Sequence, residues 1–340
     1  MFAALLEKLR RHEDLSQGEA AEAMGHIMDG EAQPAHIAGL LMALALKGER
    51  PEEMVGFARA MRARAVPVPD EARAALGEVF DTCGTGGDGA HTFNVSTAAA
   101  IVLASCGVRV AKHGNRAVSS RCGSADVFET LGVRLDASPG AVAETLLKAH
   151  LAFFFAPAWH PSMKHAGPTR RELGVRTAFN LLGPLTNPAG ATRQLVGVSR
   201  PEQTELLART LGLLGTRRAW VVHGADGLDE LSTTGFTKIS EFHEGTVRTF
   251  YLHPADVGLP VASKEALVGG SAADKAALIE RILAGERGPA RDIVVFNAGA
   301  GLLIAGVAPT IADGIRMAAA AIDEGRAAAT LAQLREVAAP

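Results

Sequence analysis

Val79-Phe80-Asp81-Thr82-Cys83-Gly84-Thr85-Gly86-Gly87-Asp88 is the stretch that decides the fold. Its first four residues read as a short strand, and the strand delivers a glycine-rich turn, Gly84 to Asp88. Without Cβ atoms, such a turn can present its backbone N–H groups to a ligand, and the resulting concavity attracts oxyanions. Thr92, Phe93, Asn94, Val95, Ser96 and Thr97 follow, ahead of an alanine-rich run over 98–106 that Gly107 ends. Small polar side chains before such a run mark a helix N-terminus, where unpaired N–H groups and the helix dipole favour an anion. A second strand, 108–111, leads into Lys112-His113-Gly114-Asn115-Arg116, and then Ala117, Val118, Ser119, Ser120, Gly123 and Ser124. A glycine turn alone is equally an ordinary tight turn. Turn, helix start and lysine loop together, returning to one sheet edge, point to a phosphorylated substrate.

Outward from this stretch, short β-rich runs alternate with helical patterns. The spacing predicts strands at 79–82, 108–111, 152–155, 195–198 and 219–223, with a hairpin of 236–242 and 247–252 around Glu244-Gly245. That alternation defines an α/β domain with a mostly parallel sheet, running from about 75 to 340. Residues 1–70 have no period-two segment and read as a small all-helical domain. Ser16-Gln17-Gly18-Glu19 fits a capping box before a helix through Met28, Gly30 fits its end, and Pro34 and Pro51 fit the first turns of two more helices. Val66-Pro67-Val68-Pro69 reads as a linker. Residues 160–188 are too long and varied for an ordinary crossover. The expectation is that the chain revisits the helical domain near 165–190, placing Lys164, His165, Arg170, Arg171 and Arg176 at a domain cleft.

Composition narrows the function. The 340 residues are 48% hydrophobic, enough for a substantial core, and the net charge of -3 gives no sign of a nucleic-acid surface. The first helical pattern carries Glu7, Lys8, Arg10 and Arg11, unlike a signal peptide, and the apolar run 37–46 is too short to span a bilayer. The three cysteines, Cys83, Cys106 and Cys122, have neither metal-like spacing nor an even count for a disulfide framework. A soluble cytoplasmic protein that binds only small polyanions, with no nucleic-acid or membrane partner, is the expectation.

Asp229 and Glu230 lie in a glycine-containing loop after the fifth strand, and their hard oxygens suit magnesium. Taken alone, an acidic pair in a loop is more often just solvated, Lys112 more often a surface cation, and Arg170 an ion-pair partner of the nearby Glu172. The Ser96-Thr97 pair reads equally as a helix cap. His113, His160 and His165 form no convincing metal set and read as packing or hydrogen-bonding residues.

The blocks Gly84 to Asp88, Asn94 to Thr97, Lys112 to Ser120, Gly123 to Asp126, Arg170 to Gly174, Asn180 to Pro188 and Gly227-Leu228-Asp229-Glu230 resemble, in order, the anthranilate phosphoribosyltransferase family. The resemblance implies a small α domain beside a larger α/β domain, the architecture shared with nucleoside phosphorylases, and a homodimer joined through the helical part. It implies transfer of a 5-phosphoribosyl group from phosphoribosyl diphosphate to anthranilate, with Mg2+ required. Carried over residue by residue, Gly84, Gly87, Asp88, Thr92, Asn94, Val95, Ser96, Thr97, Lys112, His113, Gly114, Asn115, Arg116, Ala117, Val118, Ser119, Ser120 and Ser124 would bind phosphoribosyl diphosphate. Gly84, Asn115 and Arg170 would contact anthranilate, and Ser96, Asp229 and Glu230 would hold the metal. No general acid or base is assigned. Cys122 departs from the family, which more often has serine there. The alternatives are a pyrimidine nucleoside phosphorylase-like enzyme and a non-catalytic phosphometabolite-binding protein.

Overall fold

Four helices open the chain: α1 (Phe2–Arg10), α2 (Gln17–Met28), α3 (Pro34–Lys47) and α4 (Pro51–Arg62). The computed structural model describes residues 1–116 and 122–338. Helix α2 starts in the predicted capping box, with Ser16 Oγ accepting from the Glu19 N–H and Glu19 returning a carboxylate to the Ser16 N–H at 2.8 Å. Pro34 and Pro51 each take the first helical position, where a missing N–H costs nothing. Gly30, at φ 78°, lies just past the end of α2.

The sheet has seven strands in the order β3-β2-β1-β4-β5-β6-β7, formed by β1 (Phe80–Asp81), β2 (Val110–Gly114), β3 (Leu151–Phe155), β4 (Arg193–Gly197), β5 (Arg218–Gly224), β6 (Thr237–His243) and β7 (Thr246–Leu252). The first five pair in parallel, and β6 and β7 form the antiparallel hairpin, turned by Glu244 and Gly245 at positive φ. The fold is therefore the expected helical domain plus a larger, mostly parallel α/β domain. Strand β2 begins two residues later than the sequence pattern places it. Gly107, at φ 87°, turns the chain so that the Val108 N–H closes on the Leu103 carbonyl, and Val108 therefore bonds back to the preceding helix instead of to the sheet.

Chain order reverses between β1 and β4, because β1 connects onward to β2 on one side and pairs with β4 on the other. Ligands of open parallel sheets bind at such a switch point, outside the carboxyl ends of the strands. One face of the sheet packs on α6 (Val95–Ser105, following α5 at Asp70–Leu76) and the C-terminal helices around Phe296 and Ile322. On the other side, Val196, Val198 and Val221 share a single apolar cluster with Leu40, Phe57 and other residues of α1–α4. Ala166, Ala178, Phe179, Leu181 and Leu185 from the segment after β3 join that same cluster, and Arg62 of α4 donates to the Leu185 carbonyl at 2.7 Å.

Candidate active site

The glycine turn is held open between two loops. Thr85 N–H donates to the Gly197 carbonyl at the end of β4 at 2.8 Å, and Gly86 N–H donates to Asp229 Oδ2 at 3.0 Å. A Cβ on Gly197 would fall 1.5 Å from the Asp229 carbonyl oxygen, so only glycine lets the two loops approach this closely. The acidic loop is itself rigid: Asp226 accepts from the Ser232 and Thr234 hydroxyls, while Asn297 clamps both the N–H and the carbonyl of Leu231.

Helix α6 begins with Asn94 as its capping residue, and Asn94 makes no side-chain cap bond. Ser96 and Thr97 therefore sit inside the first turn and do not cap it. Glu230 takes the cap's place, its Oε1 accepting the Ser96 N–H at 3.1 Å. Both carboxylates thus occupy backbone donors suited to anions. Burial, reinforced for Asp229 by the neighbouring Asp88 and for Glu230 by Asp229, pushes their carboxyls well above the usual range, to about 7 and about 8. Neither forms an ion pair with a side chain among the described residues. Two neighbouring carboxyl groups with hard oxygens and no ion-pair partner among the described residues are a donor set that fits magnesium.

Lys112 is buried and all three of its protons are used, on the Thr82 carbonyl, Thr82 Oγ1 and Ser96 Oγ at 3.0 to 3.2 Å. It braces the end of β1 against the start of α6, and it reaches the cleft only through Ser96. Successive residues of a strand face opposite sides, so His113 points away from Lys112, into the segment after β3. There His113 Nδ1 donates to the Gly183 carbonyl at 3.0 Å, and its ring lies 5.2 Å from that of His160. Burial, aided by His160, lowers its pKa to about 3, so this imidazole is neutral. Asp81 Oδ1 accepts the His113 N–H and Oδ2 accepts the Asn187 amide at 2.7 Å, locking the turn-rich segment onto β1 and β2. Asp81, Cys83 and His113 come close enough to suggest a metal set among the described residues. Both Asp81 oxygens and His113 Nδ1 are already committed to these bonds, and burial pushes the Cys83 thiol far up.

The remaining candidates divide. Gly114 has no room for a side chain, since a Cβ would lie 2.3 Å from Ser124 Oγ. Asn115 uses its Oδ1 on the Arg116 N–H, and its carbonyl accepts from Ala125. The Arg116 guanidinium is drawn aside into ion pairs with Asp126 and Glu129 at 2.8 Å. Gly87, Asp88 and Thr92 line the mouth of the turn, Asp88 and Thr92 bordering a cavity of about 280 Å³ with Lys264 and Leu267. Gly84 faces Asp229 and Val95 is buried in the core. Ala117, Val118, Ser119 and Ser120 lie outside the described residues. Cys122 is buried, and burial raises its thiol pKa. Arg170 stacks over the Phe179 ring at 4.9 Å and makes no ion pair with Glu172 or any other acid among the described residues. Arg176, whose position over the glycine turn no motif predicts, donates to the Thr85 carbonyl at 3.2 Å.

This geometry sets the chain beside known proteins. Residues 76–328 match the α/β domain of a glycosyl transferase family, and residues 3–65 match its helical bundle domain. An anthranilate phosphoribosyltransferase of Moorella thermoacetica is 55% identical over 97% of this chain and 96% of its own length. The chain belongs to the anthranilate phosphoribosyltransferase family. The Symbiobacterium thermophilum enzyme of that name is 50% identical over 98% of this chain and 96% of its own. Among solved family members, the Thermus thermophilus enzyme superposes with a TM-score of 0.92 at 45% identity, covering 98% of this chain and 99% of that one. The Saccharomyces cerevisiae enzyme in complex with phosphoribosyl diphosphate and magnesium gives 0.88 at 26% identity, covering 99% and 97%.

Proposed function

We propose that the chain transfers the 5-phosphoribosyl group from phosphoribosyl diphosphate to the amine of anthranilate, giving N-(5-phosphoribosyl)anthranilate and diphosphate in tryptophan biosynthesis. One observation carries the reading: at the sheet's switch point, the Gly86 and Ser96 N–H groups, suited to anions, hold Asp229 and Glu230, which make no ion pair among the described residues, in a chain 55% identical to an enzyme of that name. Asp229, Glu230 and the Ser96 hydroxyl would hold magnesium, which when bound supplies positive charge to a leaving diphosphate.

The protein's own share is binding and orientation. Anthranilate's amine is uncharged near neutrality, so no strong base is needed, and holding it beside the ribose carbon removes much of the entropic barrier. The Arg170 guanidinium, pre-set by Phe179, matches the flat anthranilate carboxylate, with Asn115 nearby in sequence on the Lys112 loop. The glycine turn and the α6 N-terminus would offer their N–H groups, now held by Asp229 and Glu230, to phosphate oxygens. The reading includes residues 1–70 and 75–340 as the two domains, with residues 165–190 returning to the first. It includes a homodimer joined through residues 1–65. It also includes a cytoplasmic location, and no helix of the described residues is long and apolar enough to cross a membrane.

The test follows anthranilate fluorescence as phosphoribosyl diphosphate is added, with and without magnesium. Magnesium-dependent loss of the signal is the expected result. Turnover of thymidine with phosphate, and none of anthranilate, would establish the phosphorylase instead.

A further inference from the structure

We propose that Arg176 is a further substrate-binding residue, which grips the diphosphate of phosphoribosyl diphosphate against the glycine turn. The helix Gly167–Leu173 ends at Gly174, whose φ of 64° turns the chain so that Arg176 leaves its own segment and crosses to the α/β domain. There it fills the space that a side chain on Gly87 would need: a Cβ would lie 1.8 Å from Nη1. Glycine at 87 thus serves the arginine as well as the turn.

A guanidinium has five N–H donors, and among the described residues this one spends a single hydrogen bond, on the Thr85 carbonyl. It makes no ion pair among the described residues. Burial lowers its pKa, Asp229 and Asp88 offset this through space, and Arg200 adds to it. A half-buried cation with spare donors bears a desolvation cost that its own chain does not repay. A purely structural arginine looks different here: Arg218 closes directly on Glu241 at 2.8 Å. The missing partner of Arg176 has to be an anion arriving in the cleft. Arg176 and the Gly86 N–H flank the same turn, and a planar fork opposite backbone donors suits the oxygens of a diphosphate. Because Arg176 comes from the segment packed with the helical domain, gripping the diphosphate also ties that segment to the turn.

The proposal rests on the phosphoribosyl transfer reading above, so the experiment separates the two. Titration calorimetry with inorganic diphosphate and magnesium, and with phosphoribosyl diphosphate and magnesium, is run on the wild-type protein, Arg176→Ala and Arg176→Lys. Arg176→Ala is expected to weaken both ligands about tenfold, with Arg176→Lys between, and to leave the KM for anthranilate within about twofold. No binding of either ligand to the wild-type protein would overturn the transfer reading itself. Wild-type binding with Arg176→Ala unchanged would overturn only the role of Arg176. Equal losses toward both substrates with a lowered Tm would also overturn it, leaving Arg176 as a clamp on Thr85.

Discussion

The two ends of strand β5 treat buried charge in opposite ways. At its start, Glu241 of the neighbouring β6 is 1% exposed and bridges Arg218 at 2.8 Å and Arg248 at 2.6 Å. Burial alone would raise its pKa, yet the nearby Trp220 indole and the two guanidiniums hold it below the usual range. Beyond the other end, Asp229 and Glu230 have backbone N–H donors but no ion pair among the described residues, and burial pushes them up. The arginines repeat the contrast, Arg218 being paired and Arg170 and Arg176 not. A structural site satisfies its charges internally, whereas a site that awaits ligands leaves both signs unpaired and costs stability in doing so.

The largest expected effect tests that contrast directly. Asp229→Asn with Glu230→Gln should lower kcat/KM by at least about a hundredfold, the loss of a metal's carboxylate ligands, and leave the circular dichroism spectrum native. Glu241→Gln should do the reverse, costing about 3 kcal/mol of stability with kcat/KM nearly unchanged. Undiminished turnover of the double variant across a magnesium titration would sink the assignment of the acidic pair.

Next comes substrate selectivity. Arg170→Ala should raise the KM for anthranilate about tenfold to a hundredfold, the value of a charge-assisted contact, and barely change that for phosphoribosyl diphosphate. Lys112→Ala should show the opposite selectivity, now with a fall in Tm as well, because Lys112 acts through Thr82 and Ser96. Equal effects of Arg170→Ala on both substrates would reduce Arg170 to a support of the cleft.

A smaller effect is the pH dependence of the metal-free protein. The folded-state carboxyls of Asp229 and Glu230 lie near 7 and 8, above their unfolded values, so the folded state binds more protons across the interval between. Stability is then complete below about pH 4 for these groups and falls as pH rises toward 8. Metal-free Tm should therefore drop between pH 5 and pH 8, and the double variant should flatten the slope. A slope of the same size in the variant would place the titrating groups elsewhere. The smallest change is Ser16→Ala, which removes one half of the α2 capping box and should cost about 1 kcal/mol without touching either KM.

Much of this molecule was legible in local chemistry. Short β-rich runs located the parallel strands, Glu244-Gly245 located the hairpin, and Ser16 with Glu19 located the start of α2, because each signal depends on residues a few positions apart. The glycine turn and the Asp229-Glu230 loop could be named as candidates only together with the other ordered blocks, since a glycine turn or an acidic pair alone is an ordinary feature of any sequence.

Tertiary structure alone decided how those parts are used. That Glu230 caps α6 from 134 residues away, that Lys112 turns inward to brace Ser96 while His113 faces Gly183, and that Arg176 crosses to the glycine turn all follow from the order of strands and the path of residues 160–188. Sequence determined which chemistries this protein possesses, because those reside in side-chain type and local backbone freedom. Which charges are paired and which make no ion pair among the described residues was settled only by the fold, because pairing is a matter of distance between segments that the sequence keeps far apart.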